Sequence, residues 1–262
     1  MYQIEINGRL VGQDSPCFVI AEAGVNHNGD LNLAKRLVDA AYEGGADAVK
    51  FQTFTASTLA IEDAPKADYQ FETTSSTETQ FQMLKRLELT ASMHSELKVY
   101  SNEVGILFMS SPFDESSADL LSELGVEVFK IPSGEITNLP LLDHVARKGK
   151  PMIVSTGMSY LSEVEAAVRI IESVGNQQII LLHCVSNYPA DPSDINLSAM
   201  NTLREAFNTI VGYSDHTQGI QIALAAVALG AKVIEKHITL DCNLPGPDHR
   251  SSLEPVEFEY MV

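Results

Sequence analysis

Two lysines interrupt otherwise apolar segments of this chain, Lys50 in ADAVKFQT and Lys130 in EVFKIPS. An ammonium inside such a segment is costly to bury unless it meets an anion or gives up its proton. Ser111, Ser133, Ser155 and Ser214 stand at the ends of neighbouring segments. With the lysines they make a candidate cradle for a small phosphorylated acid. Two rival readings are lysines whose stems lie along the surface and a Schiff-base lysine acting as nucleophile. Gln52 follows Lys50 by two residues and so faces the same side of a strand. His216 and His237 end the last two segments and form a candidate open divalent-metal site, able to polarise a carbonyl oxygen. For His27 and His183, hydrogen-bonded structural roles compete with ligation. Glu22 and Glu135 are candidate acid and base for making and breaking a C–O bond, or ion-pair partners of the lysines. Asp215 reads as a helix N-cap before Thr217, with a supporting role behind a metal as the alternative. Asp248, in GPDH, stabilises its turn, and touches substrate only if that loop folds over the site.

The elements that would position these groups are eight short apolar runs, 17–24, 46–53, 105–112, 127–133, 151–157, 178–184, 209–216 and 232–239. They carry polar residues near their ends: Glu22, Lys50, Ser111, Lys130, Ser155, His183, His216 and His237. Reactive groups gathered at the C-terminal ends of all strands are the mark of a closed (β/α)8 barrel, the TIM barrel. An open doubly wound sheet would use the same units but concentrates its chemistry near one switch point. Between the runs lie helical patterns. Ala34, Leu37, Val38 and Ala41 form one stripe that stops at Gly44-Gly45, and Ser162 to Glu165 reads as a capping box for the helix through Ile171. The N-terminus, 1–13, alternates around Asn7-Gly8 and predicts a β-hairpin. Between the second and third runs, the polar stretch 66–80 precedes helical patterns near 81–87 and 93–100, and predicts a lid or substrate loop. The segment after Thr239 starts an eighth helix at Glu254-Pro255 that the expectation leaves incomplete.

With 262 residues and 45% hydrophobic content, residues 1–262 are expected to form one catalytic barrel domain. A formal charge of −18 disfavours nucleic acid and anionic membranes as partners. An acidic ligand must then be met by a few local cations. Cys17, Cys184 and Cys242 lack metal-type spacing and suit a reducing cytoplasm. No stretch reaches the length of a membrane span.

Nine ordered segments, AEAGVNHNG, AVKFQTF, MSSPFD, FKIPSGE, VSTGM, LLHCVSNYP, GYSDHT, EKHITLD and PGPDH, resemble the sialic acid (N-acetylneuraminate) synthase family of nonulosonic acid synthases. The resemblance runs from about residue 17 to 256. It implies a β/α barrel that condenses phosphoenolpyruvate with an N-acetylated mannosamine-type amino sugar, releasing phosphate by C–O cleavage. It further implies a divalent metal, Mn2+ first, with Mg2+ or Co2+ as alternatives, and a homodimer. By motif, His216 and His237 resemble the metal ligands. Lys50, Ser111, Lys130, Ser133, Ser155 and Ser214 resemble the phosphoenolpyruvate cradle. Gln52, Tyr188 and Asp248 resemble the sugar contacts, and Glu22 and Glu135 the catalytic carboxylates. Ser186 stands where some members place Asn. Relatives usually carry an antifreeze-like C-terminal domain that adds an arginine to the partner's site. Residues 1–262 include no such segment, so for a chain of these residues alone the expectation is binding of phosphoenolpyruvate with poor condensation, or a different acceptor. Legionaminate synthesis, on a 2,4-diacetamido-6-deoxy sugar, is the alternative function. A catalytically silent ligand-binding barrel is the alternative of another class.

Overall fold

The computed structural model describes residues 3–67, 70–71, 74–75 and 77–262. The first two strands, β1 (Gln3–Ile6) and β2 (Arg9–Gly12), form the expected antiparallel hairpin. Its turn needs positive φ at both central residues, which Asn7 (49°) and Gly8 (78°) supply.

Eight parallel strands follow: β3 (Phe18–Gly24), β4 (Ala48–Thr53), β5 (Leu107–Pro112), β6 (Phe129–Ile131), β7 (Met152–Ser155), β8 (Ile179–Cys184), β9 (Ile210–Asp215) and β10 (Val233–His237). Their hydrogen-bonded order is β5-β4-β3-β10-β9-β8-β7-β6. The two ends of that order, β5 and β6, lie side by side and complete the ring, without a ladder between them among the described residues. The chain is thus a TIM-type α/β barrel.

Alternation along each strand sorts the side chains into two layers. Phe18, Ile20, Ala48, Met109, Ile153, Ile180, Leu182 and Val233 point inward and pack with Ile4, Ile6 and Val11 of the hairpin. The hairpin therefore seals the N-terminal end, and only the C-terminal end is left for a ligand. Val49, Phe51, Phe108, Val154, Leu181, Val211 and Tyr213 point outward into a larger core beneath the helices. Among these are α1 (Leu31–Glu43), α2 (Ala91–Val104), α3 (Leu139–Ala146) and α4 (Leu161–Ser173), whose apolar stripes turn toward the sheet. Helix α1 opens on Asp30, whose carboxylate accepts from the Asn32 and Leu33 N–H groups, and closes at Gly44, as its sequence predicts.

Three local expectations are corrected. Helix α4 begins one residue before Ser162: the Glu163 carboxylate accepts the Tyr160 N–H at 2.7 Å, so the cap lies at Tyr160 and Glu163. Asp215 caps no helix, because the next helix is Gln221–Ala228. His183 faces outward, its ring 5.6 Å from that of Tyr213, because strand alternation gives the inward place to Cys184. The proposed lid, 66–80, lies partly outside the described residues, at 68–69, 72–73 and 76. Its described part is anchored by Lys66, whose buried ammonium meets Thr74 at 2.7 Å and Glu78 at 3.6 Å.

One inward position admits no side chain. A Cβ on Gly212 would sit 2.3 Å from the Val233 carbonyl and 2.7 Å from Leu182. Both neighbours belong to the ring, so overpacking at a cost of about 1–3 kcal/mol is expected for Gly212→Ala. Thermal unfolding should show this as a Tm lowered by roughly 2–12 °C.

Candidate active site

A cavity of about 330 Å3 opens at the C-terminal end of the barrel. Its lining includes Glu22, Lys50, Lys130, Gln52, Ser111, Ser133, Ser155, Tyr188, Ser214, Asp248, His216 and His237. Every residue that the family resemblance assigns to the site is therefore gathered here except Glu135, whereas His27, His183 and Asp215 lie outside the lining. Glu135 lies in a short 3-10 turn, Ser133–Glu135, outside the cavity, where its carboxylate accepts from Asn138 at 2.8 Å. The turn directs Ser133 to the site and Glu135 away from it.

The second carboxylate is instead Glu235. It sits two residues before His237, so period-two alternation puts both on the inner face. A reading centred on strand ends passes over it, although the spacing in EKH is the available signal.

Four buried charges form the floor. Lys50 Nζ lies 2.7 Å from Glu22 Oε2 and 3.7 Å from Glu235 Oε2, while Lys130 Nζ lies 3.5 Å from Glu235 Oε1. Ser214 donates to Glu235 at 3.0 Å, Lys50 donates to Ser111 at 3.2 Å, and Gln52 donates to Glu22 at 3.3 Å. Burial pushes the Glu22 carboxyl up to about 7, against the pull of Lys50 and with the help of the Glu235 charge. For Glu235 burial is outweighed by Lys130 and Lys50, which hold it down at about 2. Burial also lowers Lys130, whereas Lys50 is raised because its two carboxylates overcome the same penalty. With Glu22 able to hold a proton near neutrality, the floor leans toward positive charge and suits an anion.

The two imidazoles stand on adjacent strand ends, their ring centroids 5.6 Å apart. Tyr188 stacks on His216 at 4.1 Å and meets His237 edge-on at 5.7 Å. His216 Nδ1 lies 2.7 Å from the Val185 carbonyl, an arrangement in which Nδ1–H donates and the Nε2 lone pair is left for a ligand. His237 Nδ1 is buried without a hydrogen-bond partner among the described residues, and burial beside His216 holds this imidazole neutral. Asp248 Oδ2 lies 4.0 Å from that nitrogen. The donor set thus fits a divalent cation with positions left for water or substrate. Among the described residues no third His, Cys, Asp or Glu completes a ligand set.

The GPDH loop folds over the mouth. Asn26 donates to the Ile238 carbonyl and to Ser252, both at 2.8 Å, and Ser252 donates to the Asp248 carbonyl at 2.7 Å. The Thr239 hydroxyl and His249 Nδ1 are 2.6 Å apart. These bonds bury Asp248, whose carboxyl is pushed up to about 6 by desolvation. Ser186 also lines the cavity, against Ser133 and Gly157.

Comparison with known proteins matches residues 37–262 to the NeuB family. The N,N'-diacetyllegionaminic acid synthase of Campylobacter jejuni is 55% identical over 245 residues, covering 93% of this chain and 73% of the relative. That of Legionella pneumophila is 54% identical, covering 98% and 74%. A crystal structure of N-acetylneuraminic acid (sialic acid) synthetase from Leptospira borgpetersenii, in complex with citrate, superposes with a TM-score of 0.90 at 39% identity, covering 99% of this chain and 86% of that one. No described helix is long and apolar enough to cross a membrane. With sequence, fold and cavity in agreement, the chain belongs to the NeuB family of sialic and nonulosonic acid synthases.

Proposed function

We propose that this barrel condenses phosphoenolpyruvate with an N-acetylated, mannosamine-type sugar in its open-chain aldehyde form, releasing phosphate by C–O cleavage. The observation that carries the reading is the convergence of two buried ammonium groups and two imidazoles on one cavity. Lys50 and Lys130, with Ser111, Ser133, Ser155 and Ser214, bind and orient the phosphorylated acid; charge-assisted contacts of this kind are the strong ones. The Ser155 hydroxyl is buried without a hydrogen-bond partner among the described residues and can donate to that anion. Gln52, Tyr188 and Asp248 orient the sugar. A divalent cation, Mn2+ first, held by His216 and His237 would supply Lewis-acid polarisation of the aldehyde oxygen.

C3 of phosphoenolpyruvate attacks the aldehyde carbon, forming the new C–C bond and leaving positive charge at C2. Water adds at C2 and gives its proton to Glu22, from which the alkoxide of the former aldehyde is protonated. The C2–O bond to phosphate then breaks as the C2 hydroxyl gives its proton to the leaving phosphate and the keto group forms. Glu235 keeps its negative charge and holds Lys130 and Lys50 in register with the substrate. The identity shared with the two legionaminate synthases favours a 2,4-diacetamido-6-deoxy acceptor over N-acetylmannosamine. The protein's chemistry takes place on small molecules in aqueous solution, in the cytoplasm and as a homodimer.

Phosphate release with phosphoenolpyruvate, Mn2+ and a panel of acetamido sugars tests this reading. Activity should require all three components and vanish with EDTA. His237→Ala should lower it by more than about 100-fold. Borohydride should trap no protein adduct, and a trapped adduct would replace the mechanism with a Schiff-base aldolase.

A further inference from the structure

Directly behind the two imidazoles lies a second, fully buried ion pair, neither member of which is in the cavity lining. Lys236 Nζ is 2.8 Å from Asp215 Oδ2, and both side chains are 0% exposed. The two residues are register partners on β9 and β10, each immediately next to a histidine, and strand alternation turns them outward. The pair does more than join two strands. Lys236 also donates to the Thr217 carbonyl, and Asp215 Oδ1 accepts from Thr217 N–H at 2.9 Å and Thr217 Oγ1 at 2.7 Å. Thr217 in turn bridges to Ala190, whose N–H donates to the His216 carbonyl at 2.9 Å. His216 is therefore held from both sides along the chain, and its separation from His237 is set across the pair.

Burying two opposite charges gains little stability over well-packed apolar groups of the same size, because desolvation offsets the attraction. A fixed geometry is what such a pair gives in return. We propose that Asp215 and Lys236 are positioning residues that set the spacing of His216 and His237 for a divalent cation. The inference rests on the metal reading above. It concerns residues outside the cavity that touch neither substrate nor metal.

The test is Mn2+ titration of the metal-free protein, followed by the free-ion EPR signal, alongside calorimetric binding of phosphoenolpyruvate in EDTA. The double variant Asp215→Leu/Lys236→Met, with both charges removed, should fold with a moderately lowered Tm, because Thr217 loses its buried partners, and bind phosphoenolpyruvate normally. Its Mn2+ dissociation constant should rise at least about tenfold, the size expected for lost support behind a ligand. General damage to the barrel would weaken both ligands together. A folded double variant with Mn2+ affinity within twofold of wild type overturns the positioning role alone. Wild type that binds phosphoenolpyruvate but no Mn2+ removes the metal site and the positioning role together. Should the double variant fail to fold, Asp215→Asn keeps the acceptor for Thr217 while weakening the tie to Lys236. A threefold or greater loss of Mn2+ affinity is expected there, and an unchanged affinity overturns the proposal.

Discussion

Glu22→Gln will lower the rate of phosphate release about a thousandfold, within the range of roughly 10²- to 10⁴-fold typical for loss of a positioned acid–base group. The substitution keeps the shape and the contact with Gln52 but removes the proton acceptor. The pH dependence separates this from a packing defect. With its carboxyl at about 7, wild-type Glu22 gains its base form as pH rises through that value, so the rate should climb and level above it. The glutamine variant should lack this limb. Stability should move in the opposite direction. Between about pH 4.5 and 7 the folded carboxyl keeps a proton that the unfolded chain has released. Wild type therefore loses stability as pH rises through that window, and the variant does not. A pH–rate profile of unchanged shape in the variant would assign the water-activating role elsewhere.

Glu235→Gln is expected to have the largest effect on folding. Lys50 keeps Glu22 at 2.7 Å, but Lys130 loses its nearest carboxylate and, among the described residues, keeps a hydrogen bond to the Ile131 carbonyl at 3.3 Å. Removing one partner of a buried pair costs about 3–5 kcal/mol, or roughly 6–20 °C in Tm for a chain of this size. The same change leaves the floor with one more uncompensated positive charge, which an anionic ligand can match. A ligand that binds only the folded state stabilises it by mass action. Scanning fluorimetry should therefore show a larger upshift by phosphoenolpyruvate in the variant than in wild type. Equal upshifts would mean that Glu235 does not share its lysines with the ligand.

Much of this architecture is legible in the sequence because strand length, turn chemistry and the polar ends of apolar runs are local signals. Asn7-Gly8 and Asp30 with Gly44 specify their turn and helix limits through backbone preferences alone. The site residues that sit at strand ends were readable for the same reason. The errors arise where neighbours in sequence part company in space. Glu135 follows Ser133 by two residues, but the intervening chain is a 3-10 turn, so a period of two no longer applies. Glu235 and Lys236 are adjacent, yet one faces the cavity and the other the helical layer, and only the register of β10 decides which. Asp215 has the residue type of a cap, but its partner is a lysine from another strand.

The unlaced join between β5 and β6 has a mechanical consequence. Seven neighbouring pairs in the ring are laced by main-chain hydrogen bonds, and the eighth, β5 beside β6, has no ladder among the described residues. Among the described residues the three-residue β6, which carries Lys130, is laced on one flank, to β7. The cylinder thus has an expansion joint beside one of its two cationic anchors, where a ligand can widen the ring without breaking a single rung.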